Sequence, residues 1–303
     1  MRRFPRALVP AFLLLSPLVS MAQSSKVSSV EKVANGIWMA QTAASSTASW
    51  FLVGDEVVAV DSGGDAETGK ALLAKIQETT GKPVRYLIVT HAHGDHGGGA
   101  GSFAAAGAEV ICHENAAAGL APLVAQTGKT KTSLISFSER LALFGGARRV
   151  AIYHLGAAHT ASDIVVLLPD DKVLFSGDIA LGKRAPYMQS PDVDPKGWEN
   201  ILARLAALDV EKVVPGHGTI TDKQAIADTH AYVKLVNGLA HTLVTEKTNE
   251  NLIEARLRRP DSGIGGAPIT PELLANIRAA MRTETQKPAP TPAQKKPSAS
   301  KKG

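Results

Sequence analysis

Cysteine is almost absent. Cys112 is the only one in the chain, so no intramolecular disulfide can staple the fold. A body of this size can bury a core large enough to manage without one, even outside the cell. Cys112 ends the stretch Ala108-Glu109-Val110-Ile111-Cys112 and reads as a small buried hydrophobe rather than a nucleophile. A membrane-spanning run is also missing. The apolar stretch from Ala7 to Val19 is too short and too interrupted by proline to serve as a permanent span. Finally, the body of the chain has no excess of basic charge. Eight of the 33 Lys and Arg residues lie in 1–22 and 287–303, which hold no acidic residue; residues 23–286 carry 25 basic against 28 acidic groups. A nucleic-acid partner would need a basic face on the folded body, and the high overall isoelectric point supplies none.

The two ends have their own readings. Arg2, Arg3 and Arg6, the apolar stretch, and then Ser20-Met21-Ala22 follow the positive, apolar, small order of a signal peptide. Residues 1–22 are therefore expected to be removed, leaving a mature start near Gln23 and a periplasmic or secreted protein with no stable membrane insertion. No cysteine sits at the cleavage site, which argues against a lipoprotein. Residues 287–303 are Pro, Ala, Ser, Thr and Lys with almost nothing to bury, and are expected to be a disordered tail.

Between them lies one expected domain, 23–286. Short β-type runs recur at 36–40, 50–53 and 57–60, with Gly54-Asp55 as a turn. Residues 67–80 show helical spacing of apolar side chains. Further strands are expected at 84–89, 108–112, 149–154, 164–168, 173–175 and 213–214, and helices at 198–208, 222–246 and 270–282. Residues 42–47 are small and polar and suggest a mobile flap. Hairpins outnumber βαβ units, which points to two sheets covered by helices, and no repeat of fixed short period interrupts the pattern.

The informative segment is Thr90-His91-Ala92-His93-Gly94-Asp95-His96-Gly97-Gly98-Gly99, directly after the apolar run 86–89. Four potential metal ligands fall within six residues at a strand end. Spaced two apart in extended backbone, His91 and His93 would project to one side. Gly94 and the glycines after His96 would permit the sharp turn and its unusual dihedrals. Imidazole and carboxylate are ligand types that zinc takes. Three more candidates, His159, Asp178 and His217, each follow a β-run next to or near glycine. A fold that gathers those strand ends would make one site from all of them.

His91-x-His93-x-Asp95-His96, followed by His159, Asp178 and His217, resembles the metallo-β-lactamase superfamily over essentially residues 30–245. The resemblance implies a four-layer αββα sandwich with metals at one edge. It implies that His91, His93 and His159 bind one ion, that Asp95, His96 and His217 bind a second, and that Asp178 bridges the two. His93 stands where diiron relatives carry glutamate, which favours two zinc ions over a redox iron pair. Asp61 resembles the family's structural aspartate that supports the ligand loop. Asp163 is a candidate for the same role beneath His159. Of the other histidines, His113 and His154 read as strand-end or supporting residues, His230 and His241 as surface.

Two neighbouring cations can hold a water and lower its pKa enough to give hydroxide near neutrality, with Asp95 orienting it. The implied activity is hydrolysis of an ester, lactone, thioester or amide-type bond in a small molecule, with Asp95 and Asp178 as catalytic carboxylates. Branches of the family differ at telling positions. Cysteine-ligand β-lactamases have that cysteine where this chain has Asp178, and the all-histidine type lacks a bridging aspartate, so strong β-lactamase activity is the second reading. Acyl-homoserine lactonases carry tyrosine where this chain has Leu181. Hydroxyacylglutathione hydrolases end in a basic pattern not found here. A phosphodiesterase, or a zinc-binding protein without catalysis, stays open behind these. Lys183 and Arg184, close after Asp178, are candidate partners for a substrate carboxylate.

Overall fold

A computed structural model describes residues 26–125, 133–145, 148–182 and 184–286. The expected leader 1–22, the start near Gln23, the tail 287–303 and Lys183 lie outside these residues. The chain opens with β1 (Val27–Ala34), β2 (Ile37–Thr42), β3 (Thr47–Val53), β4 (Glu56–Val60), α1 (Ala66–Thr80) and β5 (Val84–Ile88). There follow α2 (Gly94–Gly97), α3 (Ala100–Ala106), β6 (Glu109–His113), α4 (Glu114–Ala125), β7 (Leu134–Phe137), β8 (Arg140–Gly145) and β9 (Arg148–Tyr153). The rest is β10 (Val165–Leu168), β11 (Val173–Gly177), α5 (Pro195–Ala206), β12 (Lys212–Pro215), α6 (Gln224–Thr245), α7 (Ile253–Leu257) and α8 (Pro271–Thr285).

Local chemistry sets the helix ends. The Asp65 carboxylate accepts from the Thr68 backbone N–H at 2.7 Å and so caps α1, while Gly81 closes it in the left-handed conformation. Asp194 caps α5 at the Gly197 N–H and Pro195 starts it; Thr270 and Pro271 do the same for α8.

Two sheets result, ordered β1 to β7 in sequence and β12-β11-β10-β9-β8. The facing sides bury Ile37, Phe51, Val58, Ile88, Ile111, Ile152, Val166 and Phe175, and the Phe51 and Phe175 rings stack between layers at 5.5 Å. Helices α1, α3 and α4 cover the outer face of the first sheet through Leu72, Ile76, Phe103 and Leu120. Helices α5, α6 and α8 cover the second through Trp198, Leu202, Val233, Leu239 and Ile277. The order of layers is αββα, as expected. Cys112 is fully buried against the α1–α4 side, and burial pushes its thiol up to about 11, in keeping with a packing role. Among the described residues, no helix is long and apolar enough to cross a membrane.

One fastening crosses the sandwich at the beginning of β9. Arg148 uses all five of its N–H donors. Nε and Nη2 hold Asp171 at 2.7 and 2.8 Å; Nη1 reaches the Leu52 and Gly36 carbonyls and Nη2 the Asn35 carbonyl. A second-sheet guanidinium thus grips the β1–β2 turn and the end of β3.

Candidate metal centre

The seven ligand candidates and Asp61 leave from loops and turns at strand ends along one edge of the sandwich. Asp61 follows β4 with a positive φ of 63°, a conformation costly for a residue with a Cβ. Its carboxylate repays that strain locally. Oδ1 accepts from the Thr90 backbone N–H at 2.8 Å, and Oδ2 accepts from the Thr90 hydroxyl and from His96 Nδ1, both at 2.9 Å. The aspartate therefore ties the end of β4 to the ligand segment after β5. His93 is the residue before α2, and Asp95 and His96 lie in that single helical turn. Strands β11 and β12 run parallel with Gly177 opposite Pro215, so Asp178 and His217 leave the sheet side by side. His159 is carried by the β9–β10 loop, with Trp198 packed behind its ring at 5.7 Å.

The ligand atoms converge. His93 Nδ1 lies 3.2 Å from His91 Nε2 and 2.9 Å from His159 Nε2. His217 Nε2 lies 3.3 Å from His96 Nε2 and 3.1 Å from Asp95 Oδ2. Asp178 stands between the two groups, with carboxylate oxygens 3.5 Å from His159 Nε2, 3.6 Å from His96 Nε2 and 3.5 Å from His217 Nε2. Within each of three groups (His91, His93, His159; His91, His96, Asp178; Asp95, His96, His217) the ligand atoms lie within 4.8 Å of one another.

The outer nitrogens decide what the inner ones offer. A carbonyl can only accept, so His159 Nδ1, at 2.8 Å from Tyr187 O, and His217 Nδ1, at 2.9 Å from Ser45 O, must carry hydrogen. His96 Nδ1 donates to Asp61. The Thr90 hydroxyl is committed to Asp61 as donor, so its oxygen accepts from His91 Nδ1 at 3.1 Å. In their neutral forms, then, His91, His96, His159 and His217 all turn a bare Nε2 lone pair inward. The bare Nε2 atoms of His96 and His217 lie 3.3 Å apart, and lone pairs that close repel one another unless something positive lies between them. That spacing matches the edge of a tetrahedron of zinc–nitrogen bonds, about 3.3 Å for bonds of about 2.05 Å.

A second observation agrees. Asp178 Oδ1 is buried and has no hydrogen-bond partner among the described residues, an expensive arrangement for a carboxylate that only a cation would relieve. Burial and the neighbouring imidazoles hold His91 well below the ordinary histidine range, which keeps it in the ligating form. At Asp95, burial acts upward but is outweighed by the His217 and His96 hydrogen bonds, which hold the carboxyl far below its usual value. Burial likewise pushes Asp163 up to about 7, against the opposing hydrogen bonds from the Thr160 N–H and hydroxyl. The donor set fits zinc.

The glycines act by absence of bulk. Gly94, Gly97 and Gly98 are helical rather than unusual in dihedral, contrary to the expectation from sequence. A Cβ on Gly98 would stand 2.1 Å from the Gly64 carbonyl oxygen, so the loop after α2 can pass the end of β4 only without one. At Gly216 a Cβ would lie 2.2 Å from Asp178 Oδ1 and 2.9 Å from His96 Cε1. Gly216→Ala is accordingly expected to weaken zinc binding by about 10–100-fold, the usual scale for displacing a ligand's support. Competition with a colorimetric chelator measures it; an unchanged affinity would show that Asp178 does not need its present position.

Other expectations fare unevenly. Residues 42–47 are no loose flap. They form the β2–β3 turn, Ser46 is fully buried with its hydroxyl on the Asp95 carbonyl at 2.8 Å, and the Thr47 N–H donates to Gly216 O at 2.8 Å. Their small side chains permit this close backbone docking. Arg184 is exposed, and no described contact brings it to the cluster. Asp163 supports the turn after His159 through Thr160 rather than the His159 ring itself. His113 is buried and stacks on His154 at 3.8 Å, a supporting pair; His241 is an exposed partner of Glu284. Sequence reasoning missed Ser45 and Tyr187, whose carbonyls orient two imidazoles. It also missed Ser190, whose hydroxyl donates to Asp192 at 2.7 Å and lies 3.5 Å from His93 Nε2. Backbone carbonyls leave no residue-type signature, so only the serine–aspartate spacing offered any signal.

Comparison with known proteins agrees with this geometry. The profile of the metallo-β-lactamase superfamily matches residues 43–217, which span β3 to β12 and include all seven ligand candidates. A metallo-β-lactamase type 2 of Bacillus sp. (strain 170) is 29% identical over 178 residues, 57% of this chain and 66% of that protein, just under two thirds of its length. The type 2 enzyme of Elizabethkingia meningoseptica is 27% identical over 241 residues, 76% of this chain and 94% of that protein. Among solved structures, a metallo-β-lactamase from Pontibacter korlensis superposes with a TM-score of 0.59 at 25% identity, over 68% of this chain and 98% of that one. The chain belongs to the metallo-β-lactamase superfamily.

Proposed function

We propose that residues 23–286 form an exported hydrolase with two zinc ions, acting on an ester, lactone, thioester or amide-type bond of a small molecule. The observation that carries this reading is Asp178, one carboxylate within 3.6 Å of ligand nitrogens from both histidine groups and otherwise unpartnered at Oδ1. His91, His93 and His159 would hold one ion, Asp95, His96 and His217 the other, and Asp178 both. Zinc bound there would supply Lewis acidity toward the substrate carbonyl and make water a nucleophile near neutral pH.

The chain's own residues do the rest. Asp61, Thr90, Tyr187 O and Ser45 O fix the tautomers, so the imidazoles need not reorganise. Asp95, partly exposed at the mouth, is placed to orient the attacking water and to take its proton. Asp178 offsets the combined positive charge from within. No serine or cysteine nucleophile enters. Export rests on the signal-like order of residues 1–22.

The second reading is hydrolysis of β-lactams, favoured by the names of the matched relatives. Asp178, at the position of the cysteine ligand in β-lactamases of that type, weighs against it. Elemental analysis of the zinc-supplemented protein is expected to give two ions per chain, and one or none would overturn the binuclear reading. Chromogenic esters, lactones, thioesters and cephalosporins, each with and without chelator, then rank the substrates. Turnover insensitive to chelation would remove the mechanism.

A further inference from the structure

Large apolar side chains rarely stand in water at the lip of a polar site, and here Tyr187 does, with 53% of its surface exposed. Its ring sits edge-on to both His93 and His159, with centroids 6.5 and 6.1 Å away. It therefore borders one histidine group and not the other. Its backbone is unusually fixed for a loop. The Tyr187 carbonyl accepts from His159 Nδ1. On either side the chain is pinned by Asn276 of α8, whose carboxamide is fully buried. Asn276 Nδ2 donates to Pro186 O at 2.7 Å and to the Tyr232 hydroxyl oxygen at 3.0 Å. Its Oδ1 accepts from the Met188 N–H at 3.1 Å and from Gln189 Nε2. The amide's capacity is spent in full, chiefly on holding residues 186–189. Helix α8 lies beyond residue 217, where the family match ends.

We propose that Tyr187 is a specificity-determining residue, an aromatic wall that takes a flat apolar group of the substrate beside the reacting bond, and that Asn276 is the positioning residue that holds it there. This rests on the metal-centre reading above. A rigid ring at a polar centre offers apolar contact at little entropic cost, because its backbone is already ordered. The site thereby prefers substrates with an aromatic or similarly flat substituent next to the carbonyl over purely polar ones. A C-terminal helix outside the shared fold sets that preference.

The test separates this inference from the metal reading. The full mature chain is loaded with cobalt(II) and titrated with 2-mercaptoethanol and with benzyl mercaptan, following the sulfur-to-cobalt charge-transfer absorption. Benzyl mercaptan is expected to bind about tenfold more tightly, a preference of the size one aromatic contact gives. Tyr187→Ala is expected to bring the ratio of the two affinities close to one, a readout in which any change common to both thiols cancels. Asn276→Asp, which keeps the volume but loses the donors, is expected to reduce the preference with cobalt content intact; a merely structural role would not move the ratio. A preference that survives Tyr187→Ala overturns the proposal. Equal binding of both thiols by the cobalt-loaded, unmodified chain overturns it while the metal centre stands. Failure to take up cobalt at all overturns both.

Discussion

Asp178→Ala is expected to lower hydrolysis by at least about 10²–10³-fold, the scale on which one preorganised group at a reacting centre acts. The same substitution should do nearly the opposite to the metal-free fold. Asp178 is buried with Oδ1 unpartnered, so in the absence of cations its carboxylate costs more than it returns. Alanine there is expected to leave the melting temperature in chelator unchanged or slightly higher. In zinc, the rise in melting temperature seen for the unmodified protein should shrink, because ligand-linked stability follows affinity. Thermal melts with and without chelator, beside rates and metal content, check all three. Full rate with full metal content would remove Asp178 from the centre. Asp178→Cys sharpens the substrate question: on the family resemblance, cephalosporin turnover should rise relative to ester or lactone turnover.

Arg148→Ala is expected to be the most damaging change far from the centre. The side chain is 17% exposed and saturates five donors on Asp171 and three carbonyls of the other sheet. Truncation leaves the carboxylate without its bidentate partner and takes the guanidinium from the Asn35 and Leu52 carbonyls, while the Gly36 carbonyl keeps the Leu52 N–H at 3.0 Å. Hydrogen bonds to a charged group and a half-buried ion pair together suggest a loss of about 2–4 kcal/mol. Arg148→Lys should recover only part, since an ammonium cannot match the planar fork. The urea midpoint reads the loss. Zinc content of the folded fraction should not change, because β9 begins at Arg148 and reaches the ligand edge only at its other end. A midpoint within error of the unmodified protein would show that solvent satisfies these groups.

The ligand set was legible because its chemistry is local: residues 91–96 carry four donors in one turn, and the remaining three follow strands short enough to read. The seven histidines and aspartates come together at one edge of the sandwich. Strand β1 was not legible, being polar on its exposed side, nor was α4, an alanine-rich helix with Gly119 and Pro122 inside it and a weak apolar stripe. Strands β7 and β8 are short and only partly buried, which blurs their alternation. Residues 42–47 misled because small polar side chains signal flexibility in isolation, whereas here they allow backbone to dock on backbone. Asn276 could not be read at all. Its meaning is a contact to Met188, 88 residues earlier, and no periodicity records such a bond.

The sandwich is tied at opposite ends by unlike means. At one end the Arg148 guanidinium of the second sheet grips carbonyls of the first. At the other, side chains following β5 in the first sheet face those of the β9–β10 loop and those following β11 and β12 in the second. The first tie is made wholly by the chain's own hydrogen bonds; the second adds to such bonds a cluster of side chains that only a cation would draw together. Without an ion the mouth keeps its own bonds, the Thr47 N–H on Gly216 O and His217 Nδ1 on Ser45 O, and loses only the pull that a cation exerts on the imidazoles and carboxylates. Scarcity of the ion would then be felt first among those side chains, long before either layer loses its strands.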